Sequence, residues 1–329
     1  MPKQSEPTPV TVLTGYLGAG KTTLLNRILT EPRGKKFAVI VNEFGEVGID
    51  NDLIVDADEE IFEMNNGCIC CTVRGDLIRI IEALMRRRDR FDGILIETTG
   101  LADPAPVAQT FFVDEDVRSK TRLDSIITVV DARHLLDEID RAPEAQEQLA
   151  FADTIILNKI DLVTEQAITS VEERIRRLNP TASILRSERC NFDIASLLDR
   201  KAFDLDRILE VEPDFLDEEH DHEHDDHVTS FSLVQREPID PNKFFNWLQT
   251  VTRAFGMAML RMKGIISFAG DDDRYVVQGV HMLMEGDHQR PWKAGEERVT
   301  RLVFIGRNLP KDIISDGFSK CRATREAAE

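Results

Sequence analysis

The chain is poor in several things. Of its 329 residues only five are cysteine, two tryptophan and two tyrosine, and acidic side chains outnumber basic ones 60 to 41, for a formal charge of −19. A deficit of lysine and arginine argues against a nucleic-acid binder, which needs dense basic patches to neutralise phosphates. Cations and basic surfaces suit this charge. Long apolar runs are also missing: the longest, Phe37 to Val41, is five residues, far short of a membrane span, and the opening MPKQSEPTPVTVLTG lacks the layout of a signal peptide. Five cysteines is an odd number for a disulfide framework, and three of them crowd into Cys68-Ile69-Cys70-Cys71. These shortages point to a protein of the reducing cytoplasm, off the membrane. They do not point to disorder, because 42% of the residues are hydrophobic, enough to build one to three packed domains.

What is present is ordered alternation. From Val10 to about Arg200 the apolar runs VTVLT (10–14), FAVIV (37–41), GILIE (93–97), SIITVV (125–130), TIILN (154–158) and SILR (183–186) alternate with amphipathic stretches. Helices are predicted over Thr22–Thr30, Val73–Arg88 and Glu165–Leu178, the last stopped by Asn179-Pro180. This is the pattern of an α/β domain with a mostly parallel sheet. At Asp217 the texture changes: the eleven residues to His227 hold seven carboxylates and four histidines and nothing apolar, as in a solvated linker. Beyond it come strands at SFSLV (230–234), Gly264–Phe268, Tyr275–Leu283 and Arg298–Ile305. A helix capped by Asp240-Pro241 runs through Arg253, and another runs from Pro310 to about Lys320. The expected division is 1–205, a linker at 206–228, and a smaller α+β domain with an antiparallel sheet at 229–329.

Residues 15–22 read Gly-Tyr-Leu-Gly-Ala-Gly-Lys-Thr, matching G-x-x-x-x-G-K-[ST] between a strand and a helix. Backbone amides of Gly15, Gly18, Ala19, Gly20 and Thr23 can approach phosphate oxygens, Lys21 can bridge the β- and γ-phosphates, and Thr22 can offer its hydroxyl to Mg²⁺. Such a site needs a carboxylate at another strand end, followed by a glycine whose amide senses the γ-phosphate. Glu97 and Gly100 of Glu97-Thr98-Thr99-Gly100 supply both, with Glu where most P-loop proteins carry Asp. The third part is Asn158-Lys159-Ile160-Asp161. A carboxylate there accepts from guanine N1–H and its exocyclic amine, a donor pair adenine lacks, so the nucleotide is GTP (and GDP after hydrolysis) rather than ATP.

Cys68, Cys70 and Cys71 lie on a turn before the Val73–Arg88 helix. Closely spaced thiolates select Zn²⁺, Co²⁺ or Cu(I). Tetrahedral zinc needs three or four ligands, so the cysteines supply two or three, with Glu43, Glu46 or a water completing the shell. The structural alternative, small buried hydrophobes, fits Cys190 and Cys321 better. His220, His222, His224 and His227 form either a loose accessory metal collector or a solvated charged linker. His134, His281 and His288 stand alone in sequence and read as structural or surface residues.

These segments resemble the CobW-like metallochaperone GTPases, relatives of the nickel-insertion GTPases for urease and hydrogenase. The resemblance rests on TGYLGAGKTTLLN (14–26), VNEFGEVGID (41–50), NGCICC (66–71), ETTGLADP (97–104), NKID (158–161), LRMKGIISF (260–268), VQGVHMLM (277–284) and LVFIGRNLP (302–310), and is strongest to the zinc-handling branch. It implies that Lys21 and Thr22 bind phosphate and Mg²⁺, that Glu97 serves the magnesium, and that the three cysteines carry a cargo metal. It also implies that the stretch with Glu43, Glu46 and Asp50 is a switch between the two sites. One relative places an acidic metal ligand just before the Asn of this stretch; here that position is Val41. The implied partner is an apo client metalloprotein, and the implied protein is a monomer or homodimer. The alternatives are a GTPase delivering cobalt for cobalamin synthesis, or iron or cobalt to an enzyme such as nitrile hydratase, and a non-catalytic metal store or sensor. Leu101 stands where many signalling GTPases orient water with glutamine, so intrinsic hydrolysis is expected to be slow.

Overall fold

A computed structural model describes residues 7–31, 35–42, 61–64, 72–87, 90–198 and 228–323. They fall into two compact units, residues 7–176 with 182–198, and residues 177–181 with 228–323. No helix among them is long and apolar enough to cross a membrane.

In the first unit the apolar runs become strands, the inner ones buried on both faces as parallel strands usually are and the edge run SILR only partly covered. β1 (Thr8–Thr14), β2 (Phe37–Asn42), β3 (Ile61–Met64), β4 (Gly93–Glu97), β5 (Thr121–Asp131), β6 (Thr154–Asn158) and β7 (Ser183–Arg186) form a seven-stranded sheet, order β3-β2-β4-β1-β5-β6-β7. All six pairings are parallel, so the expected mostly parallel sheet is wholly so among the described strands. The connecting helices are α1 (Lys21–Thr30), α2 (Thr72–Met85), α3 (Ala105–Val113), α4 (Glu115–Lys120), α5 (Leu135–Arg141), α6 (Pro143–Phe151) and α7 (Glu165–Leu178). Leu13, Leu24, Leu25, Val129 and Ile156 are wholly buried between α1 and the sheet, which fixes the start of α1 over the end of β1. The chain leaves β1 at the centre of the sheet, where the strand order reverses, and at such a point open α/β sheets bind ligands at their carboxyl edge.

The second unit pairs β8 (Val228–Gln235), β9 (Met259–Ile266), β10 (Asp273–Val280), β11 (Leu283–Pro291) and β12 (Thr300–Arg307) in the antiparallel order β11-β10-β9-β12-β8. Helices α8 (Pro241–Phe255) and α9 (Lys311–Ser319) contribute to one core with this sheet, through Trp247, Phe244, Phe318, Phe304 and Met262. The Phe231 and Phe304 rings stack at 5.3 Å, and the buried Trp247 indole donates to Ile314 O at 3.3 Å. Both tryptophans and one of the two tyrosines of the chain lie in this unit. Asp240 caps α8, its carboxylate accepting from Lys243 N at 3.1 Å, with Pro241 in the first turn. Asp240→Ala is expected to destabilise this unit by about 1 kcal/mol. The measurement is the urea midpoint followed by tryptophan fluorescence; an unmoved midpoint would show that the cap contributes nothing.

Two expectations need correction, and one strand is new. Tyr275–Leu283 is not one strand but parts of β10 and β11, which reverse at His281-Met282. His281 takes φ 53 there, and neither residue is a usual turn former, so nothing in the sequence marked the reversal. The strand expected at Gly264–Phe268 is β9, which begins five residues earlier, at Met259, with Arg261 and Lys263 buried along it. Their charges disguised a fully buried strand. Finally, the short edge strand β3 was not expected at all.

Candidate functional site

Three glycines make the loop after β1 possible. Gly15, Gly18 and Gly20 have φ of 137°, 74° and 115°, where other residues are strained. A Cβ on Gly15 would sit 2.1 Å from Val129 O. The turn delivers Lys21 to the first position of α1, with its ammonium donating to Gly15 O at 2.8 Å and Tyr16 O at 3.1 Å. No side chain caps α1 and no acidic residue lies in its first turn, so this end keeps its positive potential toward an anion. Ala19 is buried, Gly18 and Thr23 are exposed, and Thr22 is half-buried.

Glu97, at the end of β4, lies in register with Leu13 of β1 and is 7% exposed. Thr22 Oγ1 donates to Glu97 Oε1 at 3.2 Å. A hydroxyl and a carboxylate brought together are hard oxygen donors of the kind Mg²⁺ selects, so these residues fit that ion. Beyond Glu97, the Thr98 hydroxyl donates to Thr14 Oγ1 at 2.9 Å, and Gly100 packs so tightly on Leu17 that a Cβ there would lie 2.8 Å from Leu17 N. The buried Gln148 of α6 donates to Gly100 O at 3.1 Å and Ala102 O at 3.2 Å.

At the end of β6, Asn158 is buried. It donates to Ala19 O at 3.0 Å and accepts from Cys190 N at 2.9 Å, so it ties the phosphate loop to the 187–190 turn. Lys159 has φ 60, and its ammonium reaches Gly18 O at 2.8 Å and Asp131 Oδ2 at 2.7 Å. Asp161 lies exposed in a single 3-10 turn, Ile160–Leu162. Asp131 ends β5 in register with Asn158 and also meets His134 Nδ1 at 3.1 Å and Arg133 N at 2.9 Å. Burial would raise its pKa, but these hydrogen bonds from Lys159, His134 and Arg133 hold the carboxyl below its ordinary value. Nearby, burial and then the charge of Asp131 push Glu138 up.

Sequence reasoning missed Gln148 and Asp131, and it read His134 as isolated although the ring is bonded to Asp131. Asp131 carried a usable signal, an acid closing an apolar strand as Glu97 does. Gln148 carried none. Cys190 and Cys321 are buried as expected, and burial pushes both thiols up to about 11. Cys190 has more than a packing place: its amide binds Asn158, and its thiol lies 3.6 Å from Gly20 O. Glu43, Glu46, Asp50, Cys68, Cys70, Cys71, His220, His222, His224 and His227 lie outside the described residues. Among the described residues no group of three metal-binding side chains gathers.

Comparison with known proteins matches the CobW/HypB/UreG nucleotide-binding domain to residues 9–186 and the C-terminal domain of the cobalamin synthesis protein cobW to residues 228–322. The zinc chaperone YjiA of Escherichia coli is 35% identical over 325 residues, spanning 96% of this chain and 99% of its own. The zinc-regulated GTPase metalloprotein activator 1 of Schizosaccharomyces pombe is 34% identical over 344 residues, 92% of this chain and 83% of its own. The crystal structure of Zn(II)-bound YjiA GTPase from E. coli superposes with a TM-score of 0.77 at 31% identity, over 97% of this chain and 100% of that one.

Proposed function

Because the chain belongs to the CobW/HypB/UreG family of P-loop GTPases, we propose that it is a metallochaperone that binds zinc at Cys68, Cys70 and Cys71 and passes it to an apo client metalloprotein, with GTP hydrolysis timing the release. The names of its relatives, zinc chaperone and zinc-regulated GTPase metalloprotein activator, support the reading.

The observation that carries it is the order of three strand ends. β2 ends at Asn42, β3 at Met64 and β4 at Glu97; Val41 is in register with Glu97, and Asn42 with Met64. The chain therefore leaves β2 at Asn42 beside the strand that ends in Glu97, and it leaves β3 at Met64, ahead of the cysteines in sequence, one strand further along. Neighbouring strands lie about 4.8 Å apart, so the chain ends at Glu97 and Met64 are about 10 Å apart, with the end of β2 between them.

In this reading Lys21 and the amides of the phosphate loop bind the β- and γ-phosphates, and Thr22 and Glu97 would hold Mg²⁺, whose charge offsets that of the phosphates. The Gly100 amide reports on the γ-phosphate. The bound γ-phosphate holds 43–50, with Glu43 and Glu46, in one arrangement, and hydrolysis lets it go. If that stretch completes or gates the zinc shell, nucleotide and zinc affinities are linked reciprocally.

Zinc titration against a competing chromophore, first in GDP and then in a non-hydrolysable GTP analogue, is expected to give affinities differing by about 5- to 150-fold. Cys68→Ala, Cys70→Ala and Cys71→Ala are each expected to weaken zinc by more than about 100-fold, beyond the usual effect of outer-shell changes. Unchanged affinity in all three would move the cargo elsewhere. Equal affinity in the two nucleotides would leave a metal store, and Co²⁺ outcompeting zinc would turn the reading toward cobalt delivery.

A further inference from the structure

We propose that Asp131 is a positioning residue of the guanine site: its carboxylate, oriented by His134, holds Lys159 in place before nucleotide arrives. The inference deepens the GTPase reading and rests on residues 158–161 being where the base binds.

The argument starts from the sheet. Parallel pairing of β5 and β6 sets Asp131 beside Asn158, so an acid from one strand and the N-K-x-D segment from the next emerge at the same carboxyl edge. Lys159 is then fixed at both ends. Its backbone is left-handed, and its ammonium bridges Gly18 O on the phosphate loop and Asp131 Oδ2. Held at those anchors, the side chain as a whole keeps 32% exposure, and the apolar stem of such a lysine can lie against the flat face of a base.

Asp131 is built to hold rather than to be seen. Its side chain is 5% exposed, and Arg133 N takes Oδ1 while Lys159 and His134 share Oδ2, so the carboxylate cannot turn away. An exposed ion pair would contribute little. Here the acid is buried, and the other contact of the lysine is the phosphate loop itself. A free lysine side chain would have to be ordered by the incoming nucleotide, at a cost in affinity that a preset one avoids.

The test uses the full chain and competition with a fluorescent GDP analogue. Asp131→Asn keeps the shape and removes the charge. It is expected to weaken GDP, IDP and XDP alike by about 10-fold and to raise KM for GTP by the same factor, with kcat within about 2-fold. Inorganic triphosphate, which has no base, should bind as before. His134→Ala, at an exposed position, should move nucleotide affinity the same way by about 3-fold and decides the matter if Asp131→Asn does not fold.

Equal loss of triphosphate binding would show Asp131 propping the phosphate loop and would overturn the proposal. So would unchanged GDP affinity in both variants. Asp161→Asn separates the two readings. If it leaves the ratio of GDP to XDP affinity alone, the guanine assignment of residues 158–161 fails; if it moves the ratio while Asp131→Asn and His134→Ala change nothing, only the present inference fails.

Discussion

Lys21→Ala is expected to lower GTP turnover by about 10²- to 10³-fold, the scale seen when one preorganised donor to developing charge is removed. Lys21 is 9% exposed, and its ammonium is already held by Gly15 O and Tyr16 O at the mouth of a loop shaped by three left-handed glycines. The charge is thus held in the loop that would receive the phosphates. Alanine removes the cation and leaves both carbonyls without that donor, so GDP affinity should fall as well. α1 should persist, because Leu24, Leu25 and Ile28 anchor it in the core. Lys21→Arg should restore little, since a planar guanidinium is wider than an ammonium and does not fit a site made for a point charge. Phosphate release under single-turnover conditions, with circular dichroism as the check on folding, gives the answer. A folded Lys21→Ala protein hydrolysing GTP within about 10-fold of the parent rate would remove the phosphate loop from the mechanism.

The second large effect concerns the base. Asp161→Asn should exchange GTP for XTP, with KM for GTP rising by at least about 100-fold and that for XTP falling correspondingly, because sites built on hydrogen bonds reject a mismatched edge strongly. The Asp161 carboxylate offers two acceptors to the N1–H and amine of guanine. An asparagine amide offers one acceptor and one donor, which suits the N1–H and C2 carbonyl of xanthine. Asp161 is exposed on a short 3-10 turn, so the change should cost little stability and the comparison remains clean. Steady-state kinetics with GTP, ITP and XTP measure it. An unchanged order of preference would show that the base is read elsewhere.

Much of the nucleotide unit was legible because each part announces itself locally. GILIE, TIILN, SILR and the helix from Glu165 to Leu178 begin and end where the sequence placed them, since apolar runs bounded by polar or proline residues leave little choice of register. The phosphate loop and the N-K-x-D segment were equally plain, being contiguous. What was not legible depends on neighbours far along the chain. Asp131 could be noticed as an acid closing an apolar strand, but its partner Lys159 shows only through pairing with a strand almost thirty residues later, and Gln148 gains its meaning only from reaching across to Gly100, 48 residues back. The four residues of β3 are too few to show a period, and the His281-Met282 reversal uses residues that seldom form turns.

The place of Gly100 has an energetic consequence. On one side it is pressed against Leu17, which leaves no room to move toward the phosphate loop, and on the other it is tethered by the buried amide of Gln148. An outward excursion of this turn strains its hydrogen bonds from Gln148, a buried one to Gly100 O and a partly buried one to Ala102 O, and a buried polar group left unsatisfied costs about 1–3 kcal/mol. Displacing it therefore has a free-energy cost that Gln148, 48 residues along the chain, helps to define.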